Sequence, residues 1–225
     1  MRFKAFICVM ATVFLTCTAG LAFAKKENLP DITEDGLHLV KDTKLALVYA
    51  EPGADLSQYK RIYMNDAYVA FKKNWQRDKN RQSSNRVTSD QMDKIKAAVA
   101  ELFKEVMTET LEEGGYELVT EVADDVLIIK PAIINLNINA PDTNSAGMTR
   151  TFSESSGDMT LYLELYDSVT GDLIAKALDQ QYDRQTGYIQ WQNRVTNRAA
   201  AKRIMKKWAD IMKQGLDEAR SVNGQ

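Results

Sequence analysis

Three stretches in the second half of the chain alternate apolar and polar residues, and no helical period separates them. Between Val126 and Ile138, Ala132, Ile134, Leu136 and Ile138 share one parity, and Asn135, Asn137 and Asn139 share the other. Asp158 to Tyr166 repeats the pattern with Met159, Leu161, Leu163 and Leu165. Asp167-Ser168-Val169-Thr170-Gly171-Asp172 then has hairpin chemistry, and Leu173 to Tyr182 returns. A period of two over consecutive strands describes a sheet with one face covered and the other polar. Pro131 cannot donate to a ladder, so an edge position or a bulge is expected there.

The covering layer is also readable. Thr88 and Gln91 form a capping-box pattern. Met92, Ile95, Val99, Leu102, Phe103, Val106 and Leu111 follow at helical spacing, and Gly114-Gly115 ends the run. Asn193 to Ser221 carries a second helical stripe through Ile204, Trp208, Ile211, Met212, Gly215 and Ala219. Leu45 to Tyr49, Arg61 to Phe71 and Tyr116 to Thr120 read as further strands. In the second of these the apolar parity slips at Asn65-Asp66, as a bulge would produce. Lys72 to Val87 reads as a basic loop, and residues 139–157 as a polar loop. Consecutive strands with two helices predict an α+β two-layer sandwich. Its antiparallel or mixed sheet would have about four to six strands, with two long helices packed on one face.

The N-terminus carries an address. Arg2 and Lys4 precede an apolar run from Ala5 to Leu21, and Ala22-Phe23-Ala24 supplies an A-x-A site before Lys25. This is the layout of a secretory signal peptide cut between Ala24 and Lys25. A transmembrane anchor is the competing reading, but the run is at the short end for a span. Both cysteines, Cys8 and Cys17, lie inside this segment, so the mature chain would hold no thiol. Thr16 and Phe14 give Cys17 a poor lipobox context, and an outer-membrane lipoprotein is the secondary expectation. The expected division is residues 1–24 signal peptide, 25–42 extended leader, 43–221 one α+β domain and 222–225 tail. Cleavage removes Arg2 and Lys4, taking the formal charge from −2 to −4.

Catalytic motifs are missing in informative ways. His38 is the single histidine, and no G-x-S-x-G, H-E-x-x-H, P-loop or G-x-G-x-x-G is present. Triad and zinc hydrolysis are therefore set aside, and no catalytic residue, metal ligand or cofactor is assigned. Asp167 to Asp172 is too short for a calcium loop. Carboxylate chemistry stays open through Asp124, Asp125, Asp158, Glu164 and Asp183, all at strand ends or exposed faces.

Basic residues cluster twice. Lys72, Lys73, Arg77, Lys79, Arg81 and Arg86 surround Trp75. Arg194, Arg198, Lys202 and Lys206 step along the last helix at i, i+4. Lys72, Lys73, Trp75, Arg77, Arg194, Arg198, Lys202 and Lys206 are the candidate contacts for an anion or partner. Two other readings compete: a solvated face, or pairing with the acidic stripe Glu101, Glu105, Glu109, Glu112 and Glu113. Trp208 belongs to an apolar stripe and to the core. Trp75 and Trp191 lie among polar residues, as exposed contacts or loop anchors.

Several stretches carry a resemblance. They are Tyr49-Ala50-Glu51-Pro52-Gly53-Ala54-Asp55-Leu56-Ser57-Gln58-Tyr59, Ala123-Asp124-Asp125-Val126-Leu127, Lys130-Pro131-Ala132-Ile133, Asn139-Ala140-Pro141-Asp142 and Tyr166-Asp167-Ser168-Val169-Thr170-Gly171. Together they resemble a bacterial family of exported proteins, often labelled lipoproteins, catalogued as domain of unknown function 3313. The resemblance implies a single-domain envelope protein with no assigned activity and no catalytic residues to transfer. The expected function is a non-enzymatic binding or accessory role in the periplasm. Its partner would be an envelope protein or anionic envelope polymer, not nucleic acid, with no membrane span in the mature chain. The alternatives are a carboxylate-dependent hydrolase of an envelope polymer and a structural role through sheet-edge pairing.

Overall fold

The computed structural model describes residues 29–82, 86–141, 151–153, 155–183 and 190–222; the side chains of 151–153, 190–192, 194 and 222 are excluded. The expected cleavage site at Ala24 and Lys25, and Cys17, lie outside the described residues. The first strands are β1 (His38–Leu39), β2 (Leu47–Ala50), β3 (Arg61–Met64) and β4 (Tyr68–Phe71), with a 3-10 turn at Leu56–Gln58. Then come α1 (Trp75–Gln82), α2 (Ser89–Glu113), β5 (Glu117–Leu118) and β6 (Val126–Ile138). The rest is β7 (Thr151–Ser153), β8 (Gly157–Asp167), β9 (Leu173–Tyr182), β10 (Gln190–Gln192) and α3 (Arg194–Val222).

The protein is α+β with a mixed sheet of eight strands, ordered β1-β2-β9-β8-β6-β3-β5, with β4 also on β6. This exceeds the four to six expected, for two reasons. The segment before residue 43 supplies β1, which pairs antiparallel with β2. The Arg61–Phe71 run is two strands, both parallel to β6. Among the described residues there are three α-helices rather than two, because α1 folds within the stretch read as a basic loop. β7, inside the stretch read as a polar loop, and β10, just before α3, form a separate two-stranded sheet.

Phase slips explain where the alternation misleads. Met64 pairs with Ile129 and Tyr68 with Ala132, so the β3–β4 side carries one extra residue. That extra residue is the slip expected at Asn65-Asp66, and it keeps Ile62, Met64 and Val69 in one core. Strand β6 has its own irregularity. Ile134 pairs with Thr160 and Asn137 with Asp158, and Asn135 takes a left-handed φ of 53°. The inward residues are therefore Leu127, Ile129 and Ile133 before the slip and Leu136 after it. Ala132 and Ile134 face the other way, contrary to the simple alternation.

Pro131 is neither at an edge nor in a bulge. It lies mid-strand between β8 and the break separating β3 from β4. Ile129 O accepts from Asn65 on that side, so the nitrogen of Pro131, two residues on, faces the gap where no ladder partner exists.

The inward sheet face packs against α2 and α3. Phe103, Val106, Met107 and Leu111 from α2 and Ile204, Met205 and Trp208 from α3 share one buried cluster with Ile62, Ile129, Ile133, Leu161 and Leu163. Helix α2 begins as expected: Thr88 Oγ1 accepts from Gln91 N, and the Gln91 side chain accepts from Thr88 N. Gly115, at φ 78°, reverses the chain after its C-cap. On α3 the buried position near the C-terminus is Leu216, one residue beyond the expected Gly215.

Candidate functional site

Residues of α2, α3 and the end of the sheet enclose a cleft of about 310 Å³. Ile95, Val99, Leu102, Leu136, Met159 and Ile204 line it, with Ala98 and Ala201 opening its walls. Gln91, Lys94, Asp158, Asp183, Asn197 and Arg198 add polar groups to its lining. The lining is aliphatic and sulfur-bearing; no aromatic ring borders it among the described residues.

The sheet end closes tightly beneath the cleft. Gly157 has φ 142°, and a Cβ there would lie 1.9 Å from Asn137 O. Asn137 donates to Asp158 at 2.7 Å, and Gln180 donates to the same carboxylate at 3.2 Å. Asp183 accepts from Ser156 N at 3.0 Å and from Arg203 at 2.6 Å. Burial alone would raise the pKa of this carboxyl. The Ser156 N–H and the Arg203 guanidinium outweigh burial and hold it below the usual carboxylate range.

Asn197 is the unusual polar group at this site. Its amide donates to Ala140 O at 3.1 Å, while its Oδ1 is buried with no hydrogen-bond partner among the described residues. A buried acceptor without a donor is costly, by about 1–3 kcal/mol.

The two expected basic clusters have different fates. On α3, Arg198 and Lys202 both meet Glu105 (2.6 and 3.1 Å), and Lys202 also approaches Glu109 (3.5 Å). Lys206 lies between Glu113 and Asp210 and donates to Thr110. The stripe is thus matched by the acidic side of α2, the pairing alternative raised by the sequence. The Lys202 hydrogen bond, with Arg198 beside it, holds the Glu105 carboxyl below its ordinary pKa. The side chain of Arg194 lies outside the described residues.

The other cluster sits around α1. Trp75 is buried, against the exposed reading: it stacks on Phe71 at 4.2 Å, and its Nε1 donates to Ile138 O. Lys79 donates to Asn139 O, and desolvation lowers its pKa. Arg77 pairs with Asp78, while Lys72 and Lys73 are exposed at the start of the helix. The clusters are thus tied to different elements, α1 to the end of β6 and the α3 stripe to α2. Trp208 is in the core as expected, while the side chain of Trp191 is outside the described residues.

Sequence reading missed Asp179. It is 4% exposed on the inward face of β9 and accepts from Trp208 Nε1 (2.8 Å), Ala46 N (3.0 Å) and Gln181 Nε2 (2.5 Å). Its position opposite Leu161 was the available signal, an acid at an apolar parity. Among the described residues, no group of three or more His, Cys, Asp and Glu side chains could hold a metal ion, and no helix is long and apolar enough to cross a membrane.

Residues 35–212 match the family described as "Protein of unknown function (DUF3313)". Solved structures with similarity include a PelC dodecamer from Paraburkholderia phytofirmans, at 9% identity and TM-score 0.38, covering 74% of this chain and 96% of that one. A minor lipoprotein from Acinetobacter baumannii has 8% identity and TM-score 0.32, with coverage of 70% and 94%. A DUF4136 family protein from Bacteroides thetaiotaomicron has 13% identity and TM-score 0.35, with coverage of 74% and 96%. No curated protein matches the chain.

Proposed function

We propose that this chain, which belongs to the DUF3313 family, is an exported binding module of the bacterial cell envelope. Its ligand would be an amphiphile whose aliphatic tail enters the cleft between α2 and α3. The signal-peptide layout before Lys25 supports export to the periplasm. The observation that carries the binding reading is the cleft itself: its volume is at the lower end of ligand pockets, and its lining is apolar with a few polar groups. Branched side chains and Met159 offer no stacking surface, which suits a flexible acyl chain better than a ring. The partnerless Oδ1 of Asn197 asks for a donor on the head group, such as a hydroxyl or amide N–H.

The cleft favours binding over hydrolysis. A general acid needs a carboxyl with a raised pKa, whereas Asp183 is held low by Ser156 and Arg203. The basic stripe is engaged with α2, so recognition of a polyanion there would have to break existing ion pairs.

The test is titration with dansyl-labelled undecanoic acid, followed by displacement with decanol. Saturable fluorescence enhancement is expected. Ala201→Trp, which fills the cleft, should weaken binding by at least about tenfold, about 1.4 kcal/mol, while leaving the far-UV spectrum unchanged. Absence of saturation, or equal binding by Ala201→Trp, would overturn the assignment.

A further inference from the structure

The face of the sheet turned away from the helices carries an unusual share of the tyrosines. Cross-strand partners point to the same side, so the register assigns each residue to a face. Tyr63 pairs with Ile128 and Tyr68 with Ala132; those β6 residues pair with Tyr166 and Tyr162 on β8. Tyr182 and Tyr49 follow by their pairing with Asp158 and Lys176. Six of the nine tyrosines in the chain therefore share the outer face. Tyr49 is buried there, its hydroxyl donating to Pro30 O of the N-terminal segment.

Four of the others form a rectangle. Tyr68 and Tyr162 are two strands apart, as are Tyr63 and Tyr166, which gives about 10 Å across the strands. Tyr162 and Tyr166 are four residues apart on β8, about 13 Å along it. Between them lies Glu164, which accepts from Tyr162 Oη at 2.6 Å and from Tyr166 Oη at 2.8 Å. One carboxylate thus draws both hydroxyls towards it and lays the two side chains along the strand. Ala132, the small residue between Tyr68 and Tyr162, leaves the space between those rings low. Tyr68 is 67% exposed and Tyr182 65% exposed.

The lysines and arginine that the strands present on this face are engaged. Lys176 pairs with Asp35, Arg61 grips Asp125, and Lys130 Nζ sits 3.9 Å from the Tyr166 ring centroid, opposite Glu164 in register. Glu164 is held by two tyrosine hydroxyls and Asp158 by the amides of Asn137 and Gln180, so an anionic partner would find no free cation on these strands and the carboxylates are already hydrogen-bonded. The geometry points to a stacking platform for an extended, uncharged polysaccharide. Tyr68, Tyr63 and Tyr162 would take the C–H faces of sugar rings, and Glu164, Lys130 and Gln180 would meet hydroxyls. This surface is opposite the cleft and independent of it.

Affinity electrophoresis tests the inference with two polymers on the same β-linked backbone, neutral hydroxyethyl cellulose and anionic carboxymethyl cellulose. The intact protein should be retarded by the neutral gel with little dependence on salt. Tyr68→Ser, at a solvent-exposed site, should lose at least about tenfold in affinity, whereas Tyr68→Phe should keep it. Ala201→Trp should bind the polymer as the parent does, which separates failure here from failure of the cleft reading. No retardation by the neutral polymer, retardation by the anionic one alone, or equal retardation of Tyr68→Ser would overturn the platform. So would a tyrosine-dependent dimer in sedimentation, which would give this face to a second copy of the chain.

Discussion

The bond between Trp208 and Asp179 joins the helix layer to the sheet, and its energetics can be worked out from its surroundings. Trp208 is 1% exposed and its Nε1 meets Asp179 Oδ2 at 2.8 Å. In Asp179→Ala the indole N–H is left with no acceptor in a site closed to water. Ala46 N also loses its partner, but it sits on an exposed residue and can turn to solvent. An orphaned buried donor costs about 1–3 kcal/mol, and with the lost side-chain contacts the expected destabilisation is about 3 kcal/mol. Trp208→Phe removes the donor instead and weakens the solvation of a buried carboxylate, for about 2 kcal/mol. The double variant holds neither the orphaned donor nor the under-solvated acceptor of that bond. It should cost about 3 kcal/mol rather than 5, a coupling of about 2 kcal/mol. Urea unfolding followed by far-UV circular dichroism reads all four proteins without relying on tryptophan fluorescence, and the slope with denaturant should stay constant. Additivity of the single changes to within about 0.5 kcal/mol would refute the claim that this bond couples the layers.

Two further outcomes follow from the sheet end beneath the cleft. Asp183 has a depressed folded pKa, so its contribution is fully present above the unfolded carboxyl value of about 3.9 and is lost as pH falls through the lower folded value. Thermal melts between pH 7 and pH 3 should therefore show Asp183→Asn well below the parent at neutral pH, with the gap closing under acid; a gap constant with pH would contradict this. Gly157→Ala forces a Cβ against Asn137 O at a φ few side chains adopt, and it should cost at least about 3 kcal/mol. Gly171→Ala, at φ 75° with open space around it, should cost only about 1 kcal/mol, and equal melting temperatures for the two variants would contradict the steric argument.

Much of the architecture was legible because local chemistry and tertiary packing agree. The Thr88–Gln91 box, the Gly114-Gly115 stop and the Asp167–Asp172 turn are set by short-range hydrogen bonding. These features appear where the sequence predicts them. What was lost depends on partners far along the chain. His38–Leu39 has no strand pattern of its own; it becomes a strand because β2 offers an edge. Residues 75–82 are too polar to show an inward stripe. They fold as α1 around a buried anchor, Trp75, whose ring sits on Phe71 and whose N–H reaches Ile138 O. On β6, the left-handed Asn135 shifts the parity partway along, and period-two counting has no means of seeing a residue leave the ladder.

The site was less legible, for a physical reason. A run of Arg198, Lys202 and Lys206 shows the charge on one helix, but only the crossing of α2 and α3 decides whether that charge is free. Here the two helices bring Glu105 and Glu109 within 2.6–3.5 Å of it, so a stripe that reads as a binding surface instead becomes a seam. The same pair of helices leaves a gap beside this seam, where Ala98 and Ala201 are too small to close it. Small residues on two helices carry no message singly; they make a cleft only when they face each other across the floor of Leu136 and Met159. The outer tyrosines are scattered over five strands in the sequence and share a face only through the register. For this chain, what can be recognised by a ligand is therefore a property of pairing, helix to helix and strand to strand, more than of any contiguous motif.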